Sequence, residues 1–352
     1  MRVLITGASG NVGTSVLAAL AHEPSVTEIV GIARRLPRAH FEKTSWQRAD
    51  ITRDELLPLF KGADVVIHLA WLIQPSRDEA LTRRVNVEGS ARVFAAVASA
   101  GVPALVYASS VGAYSPGHGA RAVDESWPTN GIASSFYSRH KAEVERLLDR
   151  FEAEHADVRT VRLRPALIFK RDAATGIRRL FIGPLLPNRL VRPGLLPALP
   201  YPRGLRTQAV HSLDVGEAYR LAAVKPVQGA FNIAAEPVLD ARTIASVVRA
   251  RPLELSPSVV RGAAWASWKL RLQPTSPGWL DMGIGSPIMQ TTRAREQLGW
   301  QPSRSATQTL GELLEGLREG AGLQTPPLDP AGSGPLRARE FATGVGAVDR
   351  LS

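Results

Sequence analysis

The chain has 352 residues, 44% of them hydrophobic and 21% charged, with a formal net charge of +11 and no cysteine. This suits one large α/β domain with a smaller appended part, and it excludes disulfides, thiolate metal sites and a cysteine nucleophile. The basic residues are spread along the chain without a block of like charges or a zinc-finger spacing, and no apolar stretch is long enough for a signal peptide or a membrane span, so a soluble cytoplasmic protein without nucleic-acid or membrane partners is expected.

Over residues 1–165, short apolar runs alternate with helical patterns. Strands are predicted at 3–6, 28–33, 45–50, 64–70, 103–109 and 158–164, and helices at 11–22, 77–100 and 134–155. Nearly continuous apolar strands separated by helices require a parallel sheet covered on both faces. The helix at 77–100 stops at Gly101 with Pro103 just beyond. The helix at 134–155 carries Val144, Leu147, Leu148 and Phe151 on one stripe. Past residue 164 the pattern changes. Pro, Gly and Leu crowd 181–204, which predicts irregular loops. Helices return at 214–224, 241–250, 259–272, 291–298 and 306–318, and residues 320–352 read as a flexible tail rich in Gly and Pro.

Gly7, Gly10 and Gly13 follow the first strand directly and open the first helix. A dinucleotide site needs this arrangement, because the backbone must turn sharply and offer free helix amides to a pyrophosphate. Asn11 and Val12 lie inside the same turn. The alternative is a tight strand–helix turn without a ligand; its place at the first turn of an alternating chain favours the site. The fold class is therefore α/β: a Rossmann-type doubly wound parallel sheet at 1–165, with segments near 205–235 returning to it, and a smaller, mostly helical substrate lobe over 166–319. The second strand ends Gly31-Ile32-Ala33-Arg34-Arg35, without the acid that holds an adenosine ribose. Arg34 and Arg35 can pair with a 2′-phosphate instead, so NADP(H) is preferred and NAD(H) is the second choice. Two solvated surface charges are the alternative. Asp50 is placed to accept from the adenine amino group or to cap a helix starting near Arg53.

Tyr137 and Lys141 are four residues apart at the start of a helix, so they share one face. A nearby ammonium favours the phenolate and lowers a tyrosine pKa; a surface tyrosine beside a surface lysine is the other reading, and the better one for this spacing taken alone. The strand 103–109 runs into Ser109 and Ser110, at the sheet edge where open α/β folds bind ligands. A serine there orients a substrate oxygen; satisfying the strand end is its other reading.

In chain order, Thr6 to Gly13, Ala49-Asp50-Ile51, Asp64 to Ala70, Asn86 to Ser90, Tyr107 to Ser110, Tyr137 to Lys141, Arg164-Pro165, Val210 to Val215, Phe231 to Ala234 and Arg295 to Trp300 together resemble the extended short-chain dehydrogenase/reductase family, also called the NAD-dependent epimerase/dehydratase family. The resemblance runs from residue 1 to about residue 302. It implies Tyr137 as general acid/base, Lys141 as its helper and Ser110, four residues before Tyr114, as the catalytic hydroxyl. It also implies that Ile51, Leu69, Ala70, Asn86 and Pro165 belong to the cofactor site; His68 lies in the same motif but reads as a buried, satisfied strand histidine. The segment Arg164 to Phe169 lacks the Asn with which many sugar-nucleotide enzymes hold substrate phosphates, so the chain looks more like the branch with 3β-hydroxysteroid dehydrogenases. Trp71, Leu72 and Ile73 point to an apolar small-molecule substrate, whereas Trp265, Trp268 and Trp279 read as lobe core. Carbonyl–alcohol redox leads. A sugar-nucleotide epimerase drawing on Arg178, Arg179, Arg189, Arg192 and Arg206 is the alternative, and a non-catalytic dinucleotide-binding regulator the third. A homodimer through the helices at 77–100 and 134–155 is expected by analogy with the family.

Overall fold

The computed structural model describes residues 1–117, 121–195, 197–342 and 345. The first half runs β1 (Arg2–Thr6), α1 (Asn11–Ala21), β2 (Glu28–Ala33), β3 (Thr44–Arg48), α2 (Leu57–Phe60), β4 (Val65–His68) and α3 (Glu79–Arg83). A π-helical turn at Arg84–Glu88 leads into α4 (Gly89–Ser99), β5 (Ala104–Ala108), α5 (Phe136–Glu154) and β6 (Arg159–Pro165). The second half holds β7 (Leu167–Phe169), α6 (Ala174–Ile177), β8 (Ala198–Pro202), β9 (Thr207–His211), α7 (Ser212–Val224), β10 (Gly229–Ile233), β11 (Ala235–Leu239) and α8 (Ala241–Val248). It ends with β12 (Arg251–Leu255), α9 (Pro257–Lys269), α10 (Pro277–Gly285), α11 (Ala306–Glu319) and α12 (Ala338–Ala342).

The main sheet has seven strands in the order β10-β6-β5-β4-β1-β2-β3, all parallel. β1 lies inside it, with Val3 opposite both Ile29 and Val65. Because strand side chains alternate, β1 feeds two cores. Val3 and Ile5 join Ile67, Val106, Val161 and Leu163 under α1 and α7. Leu4 joins Val66, Leu105 and Tyr107 on the other face, with Val93, Phe94 and Val97 of α4 and Val144 and Leu148 of α5. On the first face α1 and α7 meet backbone to backbone: a Cβ on Gly216 would stand 2.4 Å from the Ser15 carbonyl oxygen.

Several expectations change. The helix expected at 77–100 is interrupted by the π-helical turn, and the one at 291–298 is a π-helical turn at Ala294–Leu298. The lobe is mostly helical as expected, with α8 to α11, but it also holds strands that were not expected. It carries the three-stranded sheet β11-β9-β7 and the pair β12-β8. These strands are short and lack clean alternation, so periodicity does not reveal them.

The flexible tail expected from residue 320 is, as far as Ala342, a packed strap. Gln324 O accepts from the amides of Arg38 and Ala39, Ala321 O accepts from Thr175 N, and Leu328 is buried. Arg178, itself buried, donates to the Glu340 carboxylate at 3.0 and 2.5 Å. The strap has few apolar residues because it is held mainly by backbone hydrogen bonds and this ion pair. Apart from Val345, residues 343–352 lie outside the described residues. Among the described residues no helix is long and apolar enough to cross a membrane.

Candidate active site

β1 ends at Thr6, and Gly7 turns the chain at φ +76°, where a Cβ would meet Ala70 N at 2.7 Å. A Cβ on Gly13 would stand 2.4 Å from the Ala8 carbonyl oxygen, so this glycine too is required by close packing. Gly10 differs: the nearest atom to its Cβ position is Gly7 O at 3.4 Å. Gly10 is also the N-cap of α1, and no side chain caps that helix. The first amides of α1, from Asn11, Val12 and Gly13, therefore have no intrahelical acceptor. Asn11 donates to Ile168 O at 3.2 Å while its buried Oδ1 has no partner. An accessible turn, an uncapped helix start and an orphaned acceptor beside it fit a dinucleotide: amides for the pyrophosphate and an oxygen for a ligand hydroxyl. Leu69 and Ala70, half-buried at the end of β4, form the wall against which this turn packs.

Arg34 and Arg35 are exposed at the end of β2. The Arg35 charge also acts on Arg179, so the lobe brings a third guanidinium toward this corner. Nothing in the local sequence signals that approach. Asp50 accepts from Thr52 N at 2.9 Å and from Thr52 Oγ1 at 2.7 Å, so one oxygen caps its own turn. Burial pushes its pKa up, but the Thr52 hydrogen bonds and the charges of Arg34 and Arg53 leave it below the ordinary value. Ile51 is buried and presents its carbonyl to Arg92 Nε at 2.9 Å.

Ser110 stands just past β5, and its Oγ accepts from Gly112 N at 3.0 Å. Ser109 is committed elsewhere, donating to Glu145 Oε1 at 2.5 Å. Tyr137 and Lys141 lie in the first turns of α5, which Ser135 caps through Ser138 N. Ser110 and Tyr137 are brought together. Burial pushes the phenol up to about 12, and the nearby Ser110 hydroxyl pulls the other way. Lys141 is buried and donates to Ala108 O at 2.6 Å. Its Nζ lies 3.4 Å above the Trp71 ring and 5.8 Å from the centre of the Tyr137 ring. The expected lowering of the tyrosine by Lys141 is thus not found in this arrangement. The ammonium is directed to a carbonyl and an indole face, and burial pushes its own pKa well down against the pull of Glu145.

Trp71 meets Tyr137 edge-on at 5.8 Å, and Trp279 lies 4.9 Å from the tyrosine on another side with Phe181 behind it at 5.0 Å. Trp279 was expected in the lobe core; α10 carries it to the tyrosine instead. Trp265 is 51% exposed and not core either. Asn86 is buried in the π-helical turn, and its amide accepts from Leu72 N at 2.6 Å and donates to Leu72 O at 2.8 Å. It fixes the segment that carries Trp71. Gln74 ties the same segment to the lobe through Leu180 O at 2.7 Å. Pro165 is buried at the end of β6, opposite Ile233 of β10.

Beneath the site lies a charged layer that motif reading missed. Glu145, one turn past Lys141, is fully buried. Its oxygens accept from Arg164 Nε and Nη2, each at 2.9 Å, and from Arg162 Nη1 at 2.9 Å. Burial pushes the carboxyl up, but the guanidinium partners hold it down at about 2. Two arginines two apart on one strand share a face; that spacing was the available signal. Tyr114 belongs to this layer, donating to Asn232 Oδ1 at 2.7 Å and accepting from Arg164 at 3.0 Å.

His68 is buried between Thr6 Oγ1 at 2.6 Å and Ser90 Oγ at 2.9 Å, and burial lowers it to about 3, so it is neutral. His140 is buried with both ring nitrogens unpaired, and its nearest acid is Glu79 at 3.9 Å. Among the described residues no group of His, Asp and Glu is arranged to hold a metal.

The profile of the NAD dependent epimerase/dehydratase family matches residues 3–234. An uncharacterized protein of Mycobacterium tuberculosis is 28% identical over 331 residues, covering 92% of this chain and 31% of the relative, so the chain spans about a third of that relative's length. A sterol-4-alpha-carboxylate 3-dehydrogenase (decarboxylating) of Candida albicans is 30% identical over 190 residues, covering 50% of this chain and 54% of that enzyme. Among solved structures, MoeE5 in complex with UDP-glucuronic acid and NAD superposes with a TM-score of 0.66 at 22% identity, over 91% of this chain and 99% of that one; this is a likeness of fold. With a family match over more than half its length and a seven-stranded parallel sheet, the chain belongs to the NAD dependent epimerase/dehydratase family.

Proposed function

We propose that this enzyme moves a hydride between a nicotinamide cofactor, NADP(H) in preference to NAD(H), and a carbonyl or secondary alcohol of a small apolar substrate. The cofactor supplies the hydride exchange; the chain supplies a proton and the positions. Tyr137 exchanges the proton with the substrate oxygen, donating during reduction and accepting during oxidation. Ser110 holds that same oxygen by hydrogen bonding. Lys141 favours the phenolate once its ammonium faces the phenol, and it holds a cofactor hydroxyl. Glu145 beneath Lys141 favours the ammonium form.

The observation that carries this reading is the placing of Tyr137 beside Ser110 and Gly112 at the carboxyl end of β5, while the neighbouring Ser109 is spent on Glu145. The apolar substrate is supported by Trp71, Trp279 and Phe181 around Tyr137. NADP(H) is supported by Arg34 and Arg35, with Arg179 close by. Tyr137→Phe should lower turnover by about a hundredfold or more while NADPH still binds, as read by its fluorescence. Retained turnover in a panel of carbonyl substrates would sink the assignment.

A sugar-nucleotide epimerase is the second reading, favoured by the likeness to MoeE5 with bound UDP-glucuronic acid. Against it, Arg178, a candidate for a substrate diphosphate, is taken up by Glu340 and Gly183 O. Isomerisation of a UDP-sugar without net cofactor turnover would favour the epimerase.

A further inference from the structure

Lys170 follows β7 and is 6% exposed. Its ammonium donates to three oxygens in the first turns of α1: Asn11 O at 3.1 Å, Thr14 Oγ1 at 2.7 Å and Ser15 Oγ at 2.9 Å. None of these oxygens bears a formal charge. The cage continues to the head of α7, where Ser212 Oγ lies 2.9 Å from Ser15 Oγ and donates to Asn11 O. The charged groups on neighbouring elements are engaged. Asp172, two residues on, acts on Lys170 but lies against Arg171 at 3.7 Å. Asp214 of α7 accepts from Ser303 Oγ and Arg304 N. On α11, Glu312 pairs with His211 and Arg304, and Glu319 with Arg171. The first turn of α1 contains no acid.

A buried ammonium held only by neutral oxygens is costly. This one also sits at the amino end of a helix, where the backbone dipole already disfavours positive charge. Both costs turn into gains when a dianion occupies that helix end. We propose that Lys170 is a built-in countercharge for the cofactor's pyrophosphate, a positioning residue that acts through the first turn of α1 without touching the ligand. This rests on the dinucleotide reading of the glycine turn.

A consequence follows for proton binding. Burial, opposed by Asp172, lowers the Lys170 ammonium to about 8 in the free protein. A pyrophosphate above it favours the charged form. Affinity should therefore be greatest below this pH and fall as pH rises through it, and binding near pH 8 should take up protons.

The test uses ADP-ribose, which carries the pyrophosphate but no nicotinamide; whatever Lys141 contributes through the remaining ribose is the same in the two proteins and cancels in their comparison. Calorimetric titrations would compare the full-length wild type with Lys170→Met from pH 6.5 to 9.5. Lys170→Met should bind ADP-ribose about tenfold more weakly at pH 7 yet bind adenosine as the wild type does, and the fall in affinity above pH 8 should vanish. Equal affinity and an equal pH profile in the two proteins would overturn the inference. Should Lys170→Met not fold, the wild type decides alone: binding heats at pH 8 that do not vary with the ionisation heat of the buffer mean no proton uptake, and the inference fails. If the wild type binds neither ADP-ribose nor adenosine, the dinucleotide reading beneath it fails instead.

Discussion

Tyr137 shows how little a motif says about the state of its members. A phenol pushed up to about 12 is a poor proton acceptor at neutral pH, and Lys141 is turned toward Ala108 O and the Trp71 ring. Alcohol oxidation, which needs the phenolate, should therefore speed up as pH rises from 7 to 10, while carbonyl reduction, which needs the phenol, should not. Rate profiles in the two directions check this, and an oxidation rate that is flat with pH would count against Tyr137 as the base. At the adenosine end the proposed preference for NADP(H) rests on charge. Replacing Arg34 and Arg35 together by Ala should weaken NADP(H) roughly tenfold or more and leave NAD(H) nearly unchanged, since a 2′-phosphate alone would meet those guanidiniums. Dissociation constants for both cofactors decide it, and equal losses would show that the two arginines act nonspecifically.

Between elements, the α5–β6 contact depends on Glu145. A carboxylate with no exposure holds Arg162 and Arg164 from the neighbouring strand and orients Ser109. Removing one partner of a buried ionic cluster leaves the others uncompensated, so Glu145→Gln should cost about 3–5 kcal/mol, measurable by urea unfolding. The Glu145 carboxyl lies at about 2 in the folded chain against an ordinary 4.5. Its contribution is therefore complete above the ordinary value and is lost as pH falls from there toward 2. The wild type should lose stability over that acid range, and Glu145→Gln should show a shallower loss. An equally steep acid limb in the variant would place the sensitivity elsewhere.

For the whole molecule, the strap from residue 321 to Ala342 closes over the lobe. It buries Leu328, pairs Arg178 with Glu340, and lays Gln324 against the loop after β2. Burying one leucine is worth about 2 kcal/mol, and losing Glu340 strands a buried guanidinium. Removing residues 321–352 should lower the melting temperature by several degrees and weaken NADP(H), because Arg179, which donates to Pro327 O, lies near Arg35. An unchanged melting temperature would mean that the strap adds nothing to the fold.

Ser110 was singled out by the family resemblance, whereas the glycine turn, the succession of strands and helices in the first half, and Tyr137 and Lys141 on one helix face were readable in the chain itself. Each depends on a local rule: hydrophobic period, a turn only glycine can make, or helical spacing of four. Local rules cannot place groups that meet from distant segments. Trp279 beside Tyr137, Lys170 beneath α1, Glu145 between Arg162 and Arg164, and the strap against the β2 corner all join residues far apart in sequence. Their partners are chosen by how helices and loops pack on the sheet, and their charges are set by burial that exists only once that packing has formed.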